Sequence, residues 1–476
     1  MIEETQSFVD MLNSAINGVQ EFLWTYIVLV VVIGVAAYFT VRTGFVQFRM
    51  FGEMIRLMFK SGKSKQQDGK HHISSFQAFI VALASRIGTG NLAGVATAIS
   101  VGGPGSVFWM WAMALLVSAS AFVESTLAQL YKRKGEKSFF GGPAYYMKYG
   151  LGKSWMGVLF SVLIILTFGC AYNCIQGNSI ALAWEEAFGI STTWMGIIVT
   201  ALSIVVVFGG IHRIAKVSGV VVPLMAVVYL IVAVGVVIAN ITVLPRVFVM
   251  IFENAFGVGQ FAGGALGTIV MMGVKRGLFS NEAGEGSAPN AAATATVSHP
   301  VKQGLVQALG VFTDTLVVCS CTAFIILCSG VDYTASNGIQ LTQAALSHEI
   351  GSIGTPFIAI IIWLFAYSTI IANCYYGETN LVYFTKNKTV MFVYKLFSCG
   401  CVFFGSVMSL EMAWSLSDLF MALLTMCNLT AIVLLFPKVR YLVTDYTRQK
   451  KEGRDPEFHR SQMPEIADKL EAWGDD

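Results

Sequence analysis

Apolar runs of about 20 residues recur along the whole chain, and that is the length a helix needs to cross the hydrocarbon of a bilayer. No water reaches that layer, so the peptide groups of such a run must satisfy one another, and a helix does this within one segment. Eleven runs are legible, at 19–40, 74–101, 105–131, 154–184, 191–210, 213–239, 259–279, 301–328, 355–384, 389–409 and 412–436. Charged residues make up only 12% of the 476, about half the share of a soluble domain. Soluble proteins rarely repeat apolar runs of this length. The expectation is an all-α membrane protein with eleven transmembrane helices.

Lys and Arg set the orientation, because they concentrate on the cytoplasmic side. With the N-terminus outside, the inner loops hold Arg42 to Lys70, Lys132 to Lys153, Arg213 with Lys216, Lys275 and Arg276 with Lys302, and Lys386 with Lys388. The tail holds the rest, only Arg246 faces outward, and Arg86 and Lys395 fall within spans. Lys395 is near an inner end and can snorkel. The reading is a multi-pass protein of the cell inner (plasma) membrane with its C-terminus in the cytoplasm. The acidic opening MIEETQSFVDMLNS is not a basic leader. All nine cysteines lie in apolar runs and lack zinc-site spacing, so they read as buried structural thiols.

Two spans are interrupted by glycine-rich polar sequence. The second runs outward and holds LASRIGTGNLAGV (83–95); the seventh runs inward and ends in GVKRGLFSNEAGEGS (273–287). Each opens a set of five spans. Five is odd, so the two sets have opposite topology, and Gly-interrupted spans at matching places point to a transporter binding site. The chain then divides into an extra N-terminal helix with a basic linker (1–73), two five-helix repeats (74–240 and 241–437) and a cytoplasmic tail (438–476), read as a solvated helix or a disordered segment.

Unwinding in the second span frees the carbonyls around Ala84, Ser85, Arg86 and Ile87, hard oxygen donors for a dehydrated sodium ion. The helix restarting beyond Gly88 presents the amides of Thr89, Gly90 and Asn91, where a helix N-terminus favours an anion. A cation site and a carboxylate site side by side match an amino acid and its coupling ion. Asn91 can add a side-chain oxygen to a cation. Ser368 and Thr369, in mid-span, can complete a neutral cage with the freed carbonyls or bond back to their own helix. Gln176 reads as a cavity residue and shares a helix face with Asn173. Met271, Met272 and Gly273 read either as an apolar wall for a small side chain or as packing.

Arg86 needs a partner, because an arginine at the bilayer centre costs roughly 2.5–3.5 kcal/mol on insertion scales. Three roles stand open: a pair with Asp314, a contact with the substrate carboxylate, or separate duties in which Asp314 faces a cation. Glu282 and Glu285, at the inner end with Lys275 and Arg276, read as a gate or a solvated turn. Glu124, Glu378 and Asp418 read as structural.

GTGNLAGVATAI (88–99), GGPGSVFWMW (102–111), GGPAYYM (141–147) and GLFSNEAGEGSAPNAAATA (277–295) resemble the alanine/glycine:cation symporters, also called sodium:alanine symporters. The resemblance spans nearly the whole chain. It implies a leucine-transporter-like core of two inverted five-helix repeats, with one extra N-terminal helix here, and sodium-coupled uptake of alanine or glycine by alternating access. It places Thr89 and Gly90 amides on the substrate carboxylate, Gln176 on the substrate, and Ala84, Ile87, Ser368 and Thr369 around sodium. Sodium is then the coupling ion, with no organic cofactor. The partners are the small amino acid, sodium and lipid, with no nucleic acid. Proton coupling is the alternative, with Asp314 as the acceptor. An enzyme is disfavoured: G-x-S-x-G and H-E-x-x-H are absent, and so is a repeated carbonyl filter for a channel.

Overall fold

The computed structural model describes residues 2–60, 73–135, 138–257 and 263–475. Lys63, Lys65, Lys70 and Lys137 of the expected inner loops, and the start of the seventh span at 259–262, lie outside them. The described chain is helical almost throughout. α1 (Ile2–Leu23) passes through a π-turn at Trp24–Val28 into α2 (Leu29–Arg42), and α3 (Val46–Arg49) and α4 (Phe51–Lys60) follow. α5 (Ser75–Arg86) breaks, restarts as a π-turn at Gly90–Gly94 and continues as α6 (Val95–Gly102). Then come α7 (Gly105–Leu130), α8 (Pro143–Tyr145), α9 (Ser154–Leu166), α10 (Tyr172–Phe188), α11 (Thr192–Val207) and α12 (Gly210–Ala239). An outer helix, α13 (Leu244–Ala255), precedes α14 (Gly263–Asn281) and α15 (Ala288–Ala292). α16 (Pro300–Val311) runs through a π-helical stretch at Phe312–Cys319 into α17 (Ser320–Ser329). A second outer helix, α18 (Gly338–Ile350), precedes α19 (Gly354–Leu381), α20 (Lys388–Val407) and α21 (Leu410–Lys451).

Each expected span holds a helix. Among the described residues eight helices are long and apolar enough to cross a membrane, or nine if the bent pair Ser75–Arg86 and Gly90–Gly102 counts as one span. The count of eleven depends on two more: α11, which is shorter, and α14, which carries Lys275 and Arg276. No disulfide forms; all nine cysteines are free thiols.

Local chemistry fixes the boundaries that matter for the site. Ser74 and Gln77 close a capping box at the start of α5: the Ser74 hydroxyl accepts from the Gln77 amide at 3.1 Å, and the Gln77 side chain accepts from the Ser74 amide at 2.9 Å. The hairpin between α7 and α8 is a short antiparallel pair with Arg133 opposite Phe140.

The tail is not a solvated appendage. α21 continues through Pro437 to Lys451, and the chain then folds back onto the end of the bundle formed by α7 and the start of α16. Phe458, Met463, Ile466, Leu470 and Trp473 are buried there. The Trp473 indole donates to the carbonyls of Gln129 (3.2 Å) and Leu130 (3.1 Å), and the Phe458 amide donates to Ser298 O at 2.8 Å. Burial of such side chains contributes about 1.5–3 kcal/mol each, which outweighs the solvation of the charges between them.

Candidate functional site

The first break lies at the middle of the bundle. α5 ends at Arg86, Ile87 leaves the helical region at ψ 89°, and the following helix runs off at 51° to α5. Every residue from Ala84 to Asn91 is buried. Neutral side chains occupy its peptide groups. The Thr369 hydroxyl lies within donating reach of the carbonyls of Ala84 (3.1 Å) and Ile87 (3.2 Å), its one proton serving one acceptor at a time, and Ser368 reaches Ala84 O at 3.5 Å. Both hydroxyls also bond back to Phe365 O on α19, so back-bonding and approach to the break coexist.

On the other side of the break the Thr89 amide donates to Gln176 Oε1 at 3.0 Å. The Gly88 amide donates to Asn91 Oδ1 at 2.9 Å. Gly88 is glycine for lack of room: a Cβ there would collide with Thr369 Oγ1 and lie 3.0 Å from Gln176 Oε1. Gly90 lies against α14, where a Cβ would meet Ser280 Cα at 2.9 Å and the Phe279 ring at 3.1 Å. The sequence thus brings together Ala84, Ile87, Ser368 and Thr369 on one flank, and Gln176 with Thr89 on the other.

Asn91 and Asp314 also meet, but Arg86 does not join them. Asp314 accepts from Asn91 Nδ2 (2.7 Å), Ser280 Oγ (2.7 Å) and Thr315 Oγ1 (3.1 Å). Arg86 instead donates to Gln307 O at 3.2 Å, packed against Gly310, where a Cβ would overlap its guanidinium. The expected Arg86–Asp314 pair is therefore not formed. Its Nε and Nη2 are buried without a hydrogen-bond partner among the described residues.

The second break falls in the far part of the expected stretch, 273–287, and not at its start. α14 runs on through Gly273 and Gly277 to Asn281. Gly273 serves packing: a Cβ there would lie 2.5 Å from Ser106 O and 2.6 Å from Trp109 Cβ on α7. Met271 faces α1, where its sulphur accepts from Thr25 Oγ1 at 3.8 Å, and Met272 packs on Gly102. Met271, Met272 and Gly273 sit two turns, about 10 Å, up α14 from the first break, and do not adjoin Thr89. Phe279 and Ser280, which sequence reasoning missed, adjoin Gly90 and Asp314. The chain turns instead at Glu282, Gly284 and Gly286, with φ of 54°, 90° and 84°.

Neither Glu282 nor Glu285 pairs with Lys275 or Arg276. Glu282 accepts from Ser85 (2.6 Å) and Ser287 (2.5 Å), Glu285 from Tyr172 (3.0 Å), and Glu124 from the Gly284 amide (3.3 Å) and Asn428 (2.8 Å). Lys275 and Arg276 both bind Asp418, at 2.9 and 2.6 Å, buried within the bundle. They therefore do not belong to a cytoplasmic loop, and Asp418 is their counter-ion. Lys395 pairs with Glu378 at 2.9 Å. Asn173, one turn from Gln176, faces elsewhere: it bonds Ser398 and Asn373, and Asn373 in turn meets Ser85.

A family model described as "Sodium:alanine symporter family" matches residues 9–460. The chain belongs to the sodium:alanine symporter family. It is 50% identical over 94% of both chains to the probable sodium/glutamine symporter GlnT of Bacillus subtilis. It is 41% identical to the sodium/proton-dependent alanine carrier protein of Bacillus sp. strain PS3, over 86% of this chain and 94% of that one. A crystal structure of the manganese transporter of Eremococcus coleocola matches at 13% identity with a TM-score of 0.51, covering 83% of this chain and 84% of the other. That likeness shows the fold, the leucine-transporter-like helical arrangement with its broken first core helix. Family membership makes the chain a multi-pass membrane transporter of the sodium/amino-acid symporter class.

Proposed function

We propose that this chain imports a small neutral amino acid, alanine or glycine, coupled to sodium by alternating access, across the plasma membrane with its C-terminus in the cytoplasm. The observation that carries the reading is the Thr89 amide bonded to Gln176 Oε1 beside hydroxyls on the Ala84 and Ile87 carbonyls. A carbonyl-type oxygen already occupies the Thr89 amide; a substrate carboxylate replaces it there and also reaches the Gly90 amide. The displaced Gln176 side chain then donates its NH2 to that carboxylate. Sodium takes the Ala84 and Ile87 carbonyls with the Ser368 and Thr369 oxygens, whose protons rotate away. The ion and the carboxylate share one break, so each strengthens the other's binding in low dielectric.

Size follows from the aromatic wall. Phe279 packs against Gly90, its ring centroid 4.7 Å from Tyr172 and 4.9 Å from Trp414. Those rings close the side-chain end of the site and favour a methyl group or hydrogen over the longer side chain of glutamine. The two repeats, 74–240 and 241–437, move against each other around the break, with 1–73 and the tail outside that motion.

Asp314 supports a second reading, in which a proton replaces or accompanies sodium. It is a buried carboxylate one residue contact from the break, through Asn91. Uptake of radiolabelled alanine, glycine and glutamine into proteoliposomes, under sodium, lithium and proton gradients in turn, tests both. Sodium-driven uptake of alanine or glycine is expected, with little competition by glutamine. Uptake driven by a proton gradient alone supports Asp314 as the coupling group, and glutamine uptake at least as fast overturns the size argument.

A further inference from the structure

At the inner end of the bundle, α2, the turn after it and the far part of α21 enclose a groove of about 540 Å³. Five cationic side chains line it, Arg42, Arg49, Arg440, Arg448 and Lys451, with a single acid, Glu452. That acid is already bonded by Arg454, and Arg448 is held by Asp445 at 2.5 Å. Among the described residues no carboxylate pairs with Arg42, Arg49, Arg440 or Lys451. Their charges converge, and an anion is what such a pocket lacks.

The turn that builds the groove uses strained backbone. Gly44 and Phe45 both adopt positive φ, 66° and 56°, and reverse the chain so that Arg42 and Arg49 flank one opening. The Thr43 carbonyl accepts from Arg49 NH2 at 3.4 Å, which aims that guanidinium along the turn. Thr444 and Thr447 line the facing helix, their hydroxyls bonded back to Arg440 O and Val443 O, so the cations supply the donors.

The depth of the groove identifies the anion. Tyr38 and Val41 are exposed at the end of α2, and Phe45 and Phe48 continue the apolar surface past it. On α4, Phe51, Ile55 and Phe59 are exposed at one-turn spacing, while Glu53 and Arg56 pair on the helix at 2.7 Å. A helix with such a face lies in the boundary between headgroups and acyl chains. The groove therefore opens at the level of lipid phosphates, on the side that Lys and Arg favour. Guanidinium forks match a phosphate oxygen pair.

We propose that this groove binds the phosphate of an anionic phospholipid headgroup and so ties the N-terminal helix to the last helix of the bundle. The test uses the full-length protein in detergent, with phosphatidylglycerol or cardiolipin, phosphatidylcholine, and the soluble probes inorganic phosphate and glycerol 3-phosphate. Retained lipid is read by native mass spectrometry and the thermal midpoint by unfolding. The anionic lipids should stay bound and raise the midpoint, while phosphatidylcholine should do neither. Arg42→Gln with Arg440→Gln should weaken retention by about fivefold for each cation removed. Lys at both positions should keep most of it. Both side chains are exposed and lack ion pairs; if the double variant still misfolds, Arg440→Gln alone gives the same reading. Equal retention of phosphatidylcholine, or unchanged retention in the Gln variants, overturns the proposal. A midpoint shift reproduced by either soluble probe at matched concentration also overturns it, and leaves a soluble-anion site.

Discussion

The two breaks in the helical bundle share glycine and polar sequence but differ in what fills them. At the first, between Arg86 and Gly90, the loosened peptide groups are met by neutral side chains: Thr369 and Gln176 from other helices, and Asn91 from the restarting segment itself. At the second, between Asn281 and Ala288, two positive-φ glycines turn the chain and buried carboxylates take the hydrogen bonds: Glu282 from Ser85 and Ser287, Glu285 from Tyr172, and Glu124 of α7 from Asn428. Neutral partners exchange for a ligand without leaving a bare charge behind. Buried carboxylates do not, because losing one partner strands a charge in low dielectric. The first break is thus built to be opened and the second to hold shape.

Glycine substitution should separate the two most sharply. Gly88→Ala forces a Cβ onto Thr369 Oγ1 and Gln176 Oε1, so amino-acid uptake should be abolished while the purified protein keeps its thermal midpoint. Gly286→Ala has φ of 84° and meets Pro143 Cγ at 2.8 Å and Phe160 at 2.9 Å. It should lose stability by about 1–3 kcal/mol from backbone strain alone, seen as a lower midpoint and yield. Uptake by Gly88→Ala at the parental rate would remove the first break from the transport path.

Gln176 gives the next largest effect. Gln176→Glu places a fixed carboxylate on the Thr89 amide and repels the substrate's own, so binding by calorimetry should be lost. Gln176→Ala only removes a hydrogen bond to a charged group, worth about 1.5–3 kcal/mol, or roughly tenfold to a hundredfold in substrate affinity. If Gln176→Glu binds alanine as tightly as the parent, the exchange of oxygens at Thr89 is wrong.

The first break was legible because its signal is local. An arginine, two glycines and an asparagine stand within six residues of an apolar run, a density that helix packing alone seldom requires. The second was misplaced toward Met272 because glycine in a helix costs only about 1 kcal/mol relative to alanine, and Gly273 regains it by admitting α7. Only positive φ at Gly284 and Gly286 marks the true turn, and composition does not encode φ. The partner of Arg276 was hidden for another reason: Asp418 is 142 residues away in sequence, and nothing in the intervening residues marks the pairing. For Arg86 the sequence left three roles open, and its guanidinium meets a backbone carbonyl, Gln307 O, rather than Asp314, since the sequence locates charges along the chain but not in depth. The buried tail failed similarly, its five core residues being diluted among charges.

A smaller effect is expected at the cation flank. Replacing both Ser368 and Thr369 by Ala leaves the Ala84 and Ile87 carbonyls but removes two neutral oxygens. The sodium concentration for half-maximal uptake should rise on the order of tenfold, while alanine affinity at saturating sodium changes little. An unchanged sodium requirement would take these hydroxyls out of the cage and shift attention to Asn91, Ser280 and Asp314.

The smallest transport effect should come from Glu282→Gln, and it probes the second break directly. Glu282 accepts two hydroxyl hydrogen bonds, from Ser85 at 2.6 Å and Ser287 at 2.5 Å. Glutamine keeps one acceptor oxygen and offers an NH2 to the other serine, which can rotate to accept. The network survives, and the midpoint should move by about 1 kcal/mol or less. Sodium requirement and alanine affinity should stay within about twofold, because no group of the first break changes partner except Ser85, whose carbonyl and not its hydroxyl belongs to the unwound strand. A sodium requirement that shifted as far as in the Ser368 and Thr369 double variant would show that the carboxylate network sets the cation site after all, and the division between an exchangeable break and a fixed one would fall.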